Sequence, residues 1–366
     1  MSNSDTVITV ALDVMGADAG PESIMEGGLQ AAVEKGNALK LVFVGKVEVI
    51  NDFIKKQKII PSNVTIENAA HAVAMSDTAT DGIRKKTSSI AVGLTMQKEK
   101  RADAFVSAGN TGAVMASSIL ILGRIEGVSR PAIISFFPTV RRKPTLVLDV
   151  GANVDCKPTH LFQFGLMGSI YASLMGGRTS PRVGLLSIGE ERSKGNEAVL
   201  ATHELFEKSD LNFIGNVEGR DVLTGEVDVI ATDGFSGNIL LKFAESVEGF
   251  LTQQIRHQIQ TNLFSRVGAA LLSPFLRRLR RTFDYSEHGG APLLGVDGVS
   301  IICHGSSSPK AIKNAVIVAI EMVRHRIAAN IREELAITNN GNSNGQEDKR
   351  QNNRLRILRP GAALDQ

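Results

Sequence analysis

Tryptophan is absent from this 366-residue chain, and tyrosine and cysteine each occur only twice. With so few stacking platforms and a formal net charge of only +3, the chain lacks the aromatic and cationic surfaces that grip nucleic acid, so none is expected as a partner. Cys156 and Cys303 lie far apart, each near the end of an apolar run. Neither a disulfide framework nor a CxxC metal site follows, and both read as buried small side chains. His71, His160, His203, His257, His288 and His325 are scattered without ligand spacing, so no metal is expected. No apolar run reaches the roughly 18 residues of a spanning helix, and the polar Met1-Ser2-Asn3-Ser4-Asp5 leads straight into a strand-like Val7 to Leu12. A cytoplasmic chain is expected, with membrane contact left open. No strand-to-helix break carries GxGxxG or GxxxxGK[ST], which removes the best support for a dinucleotide or nucleoside triphosphate. A GxSxG elbow is also missing, so His304-Gly305-Ser306 is weak ground for a serine nucleophile. No cofactor is expected.

What is present is enough for a large core: 43% hydrophobic residues against 22% charged suits a folded enzyme rather than a disordered chain. Strand-like runs at Val7 to Val14, Leu41 to Val44, Val64 to Glu67, Ala104 to Ser107, Ala132 to Phe137, Thr145 to Val150, Val183 to Ile188, Asn212 to Ile214, Val227 to Ala231 and Val299 to Cys303 are mostly apolar on both faces. Helical stretches alternate with them, among them Thr78 to Lys100, Thr111 to Leu122, Asn238 to Asn262 and Pro309 to Ala336. The alternation predicts an α/β fold with a mainly parallel, doubly wound sheet. Thr139 to Pro144 is too short for a crossover helix, so its flanking strands predict one antiparallel hairpin with Arg141, Arg142 and Lys143 at the tip. Residues 1–337 are read as a single α/β catalytic domain, and 338–366, rich in Asn, Gly and charge, as a disordered tail dispensable for chemistry.

Six of the apolar runs break into Gly mixed with Asp, Asn, Ser or Thr: Asp13 to Asp18, Ser107 to Gly112, Asp149 to Asn153, Ser187 to Glu191, Asp233 to Asn238 and His304 to Ser308. Ligands of open α/β folds bind beyond the carboxyl ends of strands, where helix N-termini offer free N–H groups to anions. The six loops therefore predict a shared anion site. In Ser107-Ala108-Gly109-Asn110-Thr111-Gly112 the backbone amides can converge on an oxyanion, although short Gly loops are common. Lys194, beside Glu190 and Glu191, can neutralise phosphate or a developing oxyanion, or belong to a solvated charged loop. Asn238 can donate to a carbonyl oxygen, while Asp233 and Ser236 equally suit the cap of the following helix.

Between Glu248 and Asp284 the chain has no acidic residue, and Arg256, Arg266, Arg277, Arg278, Arg280 and Arg281 alternate with apolar residues including Leu271, Leu272, Phe275 and Leu276. This amphipathic insert, about 250–284, predicts a helical hairpin. Ser273-Pro274 resembles an N-cap followed by a first-turn Pro, so one helix is expected to end near Leu272 and a shorter basic one to begin. Such a tip suits an anionic leaflet, an acidic partner protein or a second subunit.

Taken in order, Ala11 to Asp18, Ser107 to Gly112, Leu148 to Pro158, Gly195 to Glu197, Gly215 to Gly219, Thr232 to Asn238 and Gly289 to Gly295 resemble the phosphate acyltransferase (PlsX) family over roughly Val7 to Ala329. The resemblance implies a fold like that of phosphotransacetylases and isocitrate-type decarboxylating dehydrogenases. It also implies transfer of an acyl group from acyl carrier protein to inorganic phosphate, feeding phospholipid synthesis, by a cytoplasmic homodimer peripherally attached to an anionic membrane. Bound phosphate can attack the thioester itself, so no protein nucleophile is needed. On that reading Gly109, Asn110, Thr111, Gly112, Ser306 and His304 hold phosphate and Lys194 and Asn238 stabilise charge, with Asp233 and His304 the candidates for proton transfer. The acidic carrier would dock on Arg141, Arg142 and Lys143 or on the later arginines. An acyl-CoA phosphotransacetylase, a decarboxylating dehydrogenase and a non-catalytic membrane adaptor for the carrier are the competing readings.

Overall fold

The computed structural model describes residues 6–78, 84–141, 143–260, 263–283 and 289–341. In its first half, β1 (Ile8–Asp13), β2 (Leu39–Gly45), β3 (Val64–Asn68) and β4 (Ala104–Ser107) alternate with α1 (Gly20–Lys35), α2 (Val47–Lys55) and α3 (Ser89–Lys98), and α4 (Thr111–Ile121) leads to β5 (Ala132–Phe137) and β6 (Thr145–Leu148). The second half runs through α5 (Pro158–Leu174), β7 (Arg182–Leu186), α6 (Glu197–Glu207), β8 (Asn212–Val217) and β9 (Val229–Ala231) into α7 (Gly234–Gln260) and α8 (Leu263–Phe283). It closes with β10 (Ala291–Leu294), β11 (Ser300–Ile302), α9 (Pro309–Arg324) and α10 (Ile327–Gly341).

All these strands join one 11-stranded sheet in the order β3-β2-β1-β4-β11-β10-β5-β6-β9-β7-β8. Its pairs are parallel except where β10 meets β11 and β5 and where β5 meets β6, so the fold is the mainly parallel, doubly wound α/β sheet. The β5/β6 hairpin is the expected one, but β10 is not among the expected strands. Its sequence, Gly289 to Gly295 around Pro292, carries the marks of a loop. The register Ala291↔Ile302 and Leu294↔Ala132 makes it the strap between β11 and β5.

Strand periodicity divides the core into two layers. Val10, Leu12, Ala104, Val106, Leu146 and Leu148 point into one, which α5 and α9 also fill. Ala11, Phe105 and Val147, the residues between them, point into the other, with Ile90 and Leu94 of α3 and Val114 of α4. Both faces are thus covered, which is why β1, β4 and β6 lack alternating polarity.

Three helix boundaries depart from expectation. Within the segment Thr78 to Lys100, of which 79–83 lie outside the described residues, α3 begins only at Ser89, where Ser88 Oγ accepts the Ala91 N–H at 3.3 Å. The single helix expected from Pro309 to Ala336 is two, because the chain turns at His325 and Arg326, the latter at φ 51°. Pro274 breaks nothing: α8 runs from Leu263 to Phe283 straight through it. Ala270, whose carbonyl loses its amide donor to Pro274, is itself an exposed residue. The expected tail begins inside α10, which reaches Gly341, and residues 342–366 lie outside the described set. Among the described residues no helix is long and apolar enough to cross a membrane.

Candidate active site

Strand direction sorts the six glycine loops into two sets. β1, β4 and β11 run one way and lead into Asp13 to Asp18, Ser107 to Gly112 and His304 to Ser308. Past the reversals at β10 and β5, β6, β9 and β7 run the other way and lead into the remaining three loops.

The first set is built on Asp13. This buried carboxylate accepts the Met15 N–H at 2.9 Å and the Ser107 hydroxyl at 2.7 Å, and Ser107 Oγ in turn accepts the Gly109 N–H at 3.0 Å. Burial pushes the Asp13 carboxyl up to about 6, against the opposing hydrogen bonds of Ser89, Met15 and Ser107. Asn110 caps α4, its Oδ1 accepting the Ala113 N–H at 3.0 Å while its Nδ2 donates to the Met75 and Asp77 carbonyls at 2.9 Å. Its side-chain amide is thereby committed to structure. The next two residues, exposed Thr111 and half-buried Gly112, open the helix, and amides in that first turn have no partner within it. His304 and Ser306 form a small turn in which His304 Nδ1 lies 2.8 Å from Ser306 Oγ and accepts the Ser306 N–H at 3.2 Å. An N–H can only donate, so in the neutral ring the proton sits on Nε2.

The second set is built on Asp149. It is fully buried and accepts the Ile133, Ala152 and Asn153 N–H groups at 3.0, 3.1 and 2.6 Å, and Asn153 Nδ2 at 2.9 Å. Burial raises its pKa, and these donors oppose the rise. The start of α7 lies against this loop so closely that a Cβ on Gly237 would stand 1.9 Å from the Asp149 carbonyl oxygen. Only glycine fits. The next residue, exposed Asn238, faces Gly151, where an ideal Cβ would be 3.7 Å from Asn238 Oδ1. Asp233 caps this helix, with Oδ1 accepting the Ser236 N–H at 2.8 Å and Oδ2 the Ser236 hydroxyl at 2.9 Å. Lys194 is exposed, and its carbonyl is pinned by Ser187 Oγ at 3.2 Å and Asn216 Nδ2 at 3.4 Å.

Helix α4 joins the two sets. Thr111, Met115 and Ile119 fall on one face at helical spacing, and Met115 and Ile119 line a cavity of about 520 Å³ whose other walls include Ala152 and Asn153. Arg124, Ser129, Arg130 and Pro131 complete it. The two arginines were not among the expected site residues. They sit in the connection from α4 to β5, where Gly123 and Gly127 both take positive φ, and the available signal was that pair of glycines interleaved with two cations ahead of Pro131. Neither cysteine has reactive character: burial foremost pushes both the Cys156 and Cys303 thiols up to about 12.

On the expected contact surface, Leu271 is 76% and Phe275 69% exposed, with Leu272 also exposed. The side chains of Leu276, Arg277, Arg278, Arg280 and Arg281 lie outside the described residues, as does Arg142 at the hairpin tip, where Arg141 pairs with Glu226. Along α7, Phe235, Ile239, Phe243 and Val247 are exposed at steps of four.

Residues 8–330 match a family model described as "Fatty acid synthesis protein". A phosphate acyltransferase of Nostoc sp. (strain PCC 7120) is 45% identical over 335 residues, covering 91% of this chain and 97% of the relative. One from Heliobacterium modesticaldum is 47% identical over 328 residues, covering 89% and 97%. Among solved structures, a phosphotransacetylase from Streptococcus pyogenes superposes with a TM-score of 0.60 at 15% identity, covering 87% of this chain and 94% of that one. The EutD phosphotransacetylase of Staphylococcus aureus gives 0.58 at 16% identity with the same coverage. At that identity the likeness concerns the fold.

Proposed function

The chain belongs to the phosphate acyltransferase family, and from that membership we propose that it transfers an acyl group from the thioester of acyl carrier protein to inorganic phosphate. The observation that carries the reading is the placement of α4. Its N-terminal amides lie at the head of the same helix face that lines the cavity, so an anion at Thr111 and Gly112 can meet a thioester lying along Met115 and Ile119.

A phosphate oxygen attacks the thioester carbonyl, the tetrahedral intermediate collapses with loss of the C–S bond, and the phosphate proton passes to the departing thiolate. No protein nucleophile is required, which accords with two cysteines held as thiols. Thr111 and Gly112 hold phosphate through their amides, at the end of the loop that Asp13, Ser107, Gly109 and Asn110 shape, with Ser306 and His304 as further donors. Lys194 and Asn238 stabilise the oxyanion or phosphate charge. Asp233 is engaged by Ser236, so His304 Nε2 is the stronger candidate for proton transfer. The continuous sheet supports reading residues 1–337 as one catalytic unit. The exposed apolar face of α7 and α8 supports a homodimer and peripheral contact of a cytoplasmic protein with an anionic membrane.

The test mixes purified protein with long-chain acyl carrier protein and follows thioester loss, trapping acyl phosphate as its hydroxamate. Product should require added phosphate. Lys194→Ala and Asn238→Ala should each lower kcat by about 100- to 1,000-fold, the usual cost of losing an oxyanion donor. Thioester left intact by folded wild-type protein sinks the reaction; unchanged variants remove those two residues from it.

A further inference from the structure

The cavity has more in it than the attack of phosphate needs. Its walls are largely apolar, from Met115, Ile119, Pro131 and Ala152, yet Arg124 and Arg130 both reach it. Both are exposed, and neither forms an ion pair with a carboxylate among the described residues. Other arginines of the chain are neutralised: Arg101, Arg178, Arg182 and Arg220 each meet at least one carboxylate. The Arg124 guanidinium donates to the Ser129 carbonyl, which turns its side chain back along the 124–130 segment. Two uncompensated cations beside an apolar trough describe a receptor for a long group with an anion at one end.

Distance gives the direction. Thr111 and Ile119 are eight residues apart on one helix, about 12 Å along its axis, and Arg124 follows the helix's far end. The amides proposed for the attacking phosphate and these arginines are therefore at opposite ends of α4. A single phosphate does not occupy both. A carrier protein presents its acyl group on a phosphopantetheine arm, with the thioester at the tip and a phosphodiester at the root. Laid along α4, such an arm puts its thioester toward Thr111 and its phosphodiester toward the arginines.

We propose that Arg124 and Arg130 bind the phosphodiester of the carrier's prosthetic arm and that the trough beside Met115 and Ile119 holds the pantetheine portion. This rests on the acyl-transfer reading above. It makes the two arginines determinants of which thioester is used, separate from the groups that hold the acceptor phosphate.

The test compares two thioesters of one acyl group at saturating phosphate: acyl-carrier protein, and S-acyl-pantetheine, which has the arm without the phosphodiester. In Arg124→Ala/Arg130→Ala the ratio of kcat/KM for carrier thioester to that for S-acyl-pantetheine should fall about ten- to a hundredfold, the loss expected for charge-assisted hydrogen bonds. Arg130→Gln, which leaves the Arg124–Ser129 contact in place, should give a smaller fall in the same direction and keeps the test open if the double variant folds poorly. An unchanged ratio overturns the assignment, whether both substrates are lost or both kept. So does a rise in KM for inorganic phosphate in place of the change in ratio. Wild-type protein inactive on both thioesters overturns the acyl-transfer reading itself, and is seen before any variant is compared.

Discussion

At the scale of single residues, two buried carboxylates, Asp13 and Asp149, anchor the glycine loops of the site. Each is an acceptor around which a loop is wound. Their positions were visible in the sequence as the first residues of glycine loops, but their role was not: the hydroxyl that meets Asp13 comes from Ser107, 94 positions away. Asp13 has a testable consequence. Its pKa is raised from 3.8 to about 6, so between these values the folded chain holds a proton that the unfolded chain has released. Stability from this group is full below pH 3.8 and is lost as pH rises through 6, by about 3 kcal/mol for a shift of this size. Urea unfolding of wild type and Asp13→Asn should show the variant gaining on wild type by that order between pH 4 and pH 7. A stability difference flat across that range contradicts a raised Asp13 pKa.

At the scale of elements, local signals fixed caps and failed at reversals. Asp233, which in the sequence suits the cap of the following helix, does cap α7, its Oδ1 accepting the Ser236 N–H at 2.8 Å. The α9–α10 break was invisible because neither Gly nor Pro marks it: Arg326 takes a left-handed conformation at φ 51°. An arginine there carries about 1–2 kcal/mol of strain. Arg326→Gly should relieve part of it, raising stability by roughly 0.5–1 kcal/mol after the greater freedom of the unfolded glycine is subtracted. Thermal unfolding checks this, and a lower melting temperature would show that the turn is held by more than backbone conformation. Strand β10 escaped for the opposite reason, since Gly and Pro flank and occupy a segment that is nevertheless paired on both sides. Tertiary pairing decided there, not propensity.

For the whole molecule, the doubly wound class was legible from alternation and the covered faces of the strands, whereas the opposed directions of its two halves were not, because they follow from which strands become neighbours. The amphipathic insert was legible as composition, and among its described residues exposed apolar side chains run from Phe250 to Ile255 on α7 and from Phe264 to Phe275 on α8. If that face meets lipid, sedimentation with vesicles of anionic lipid should pellet the protein at low salt, and raising ionic strength from 0.05 to about 0.5 M should release much of it as screening weakens the arginines. Equal pelleting with neutral vesicles would remove the anionic preference; none with either would leave the face to a second subunit.

The position of β10 and β11 also bears on how the chain is made. These strands are translated after residue 290 yet lie between β4 and β5, which are translated before residue 138. Until they emerge, β4 and β5 each have an unpaired inner edge, the kind of surface that recruits strands from other chains. The two parallel wings can begin to pack during synthesis, but the strap that joins them comes almost last. The halves are thus bound in time as well as in space, and a ribosome that stalled before Ala291 would release a product with two sticky margins rather than two small domains.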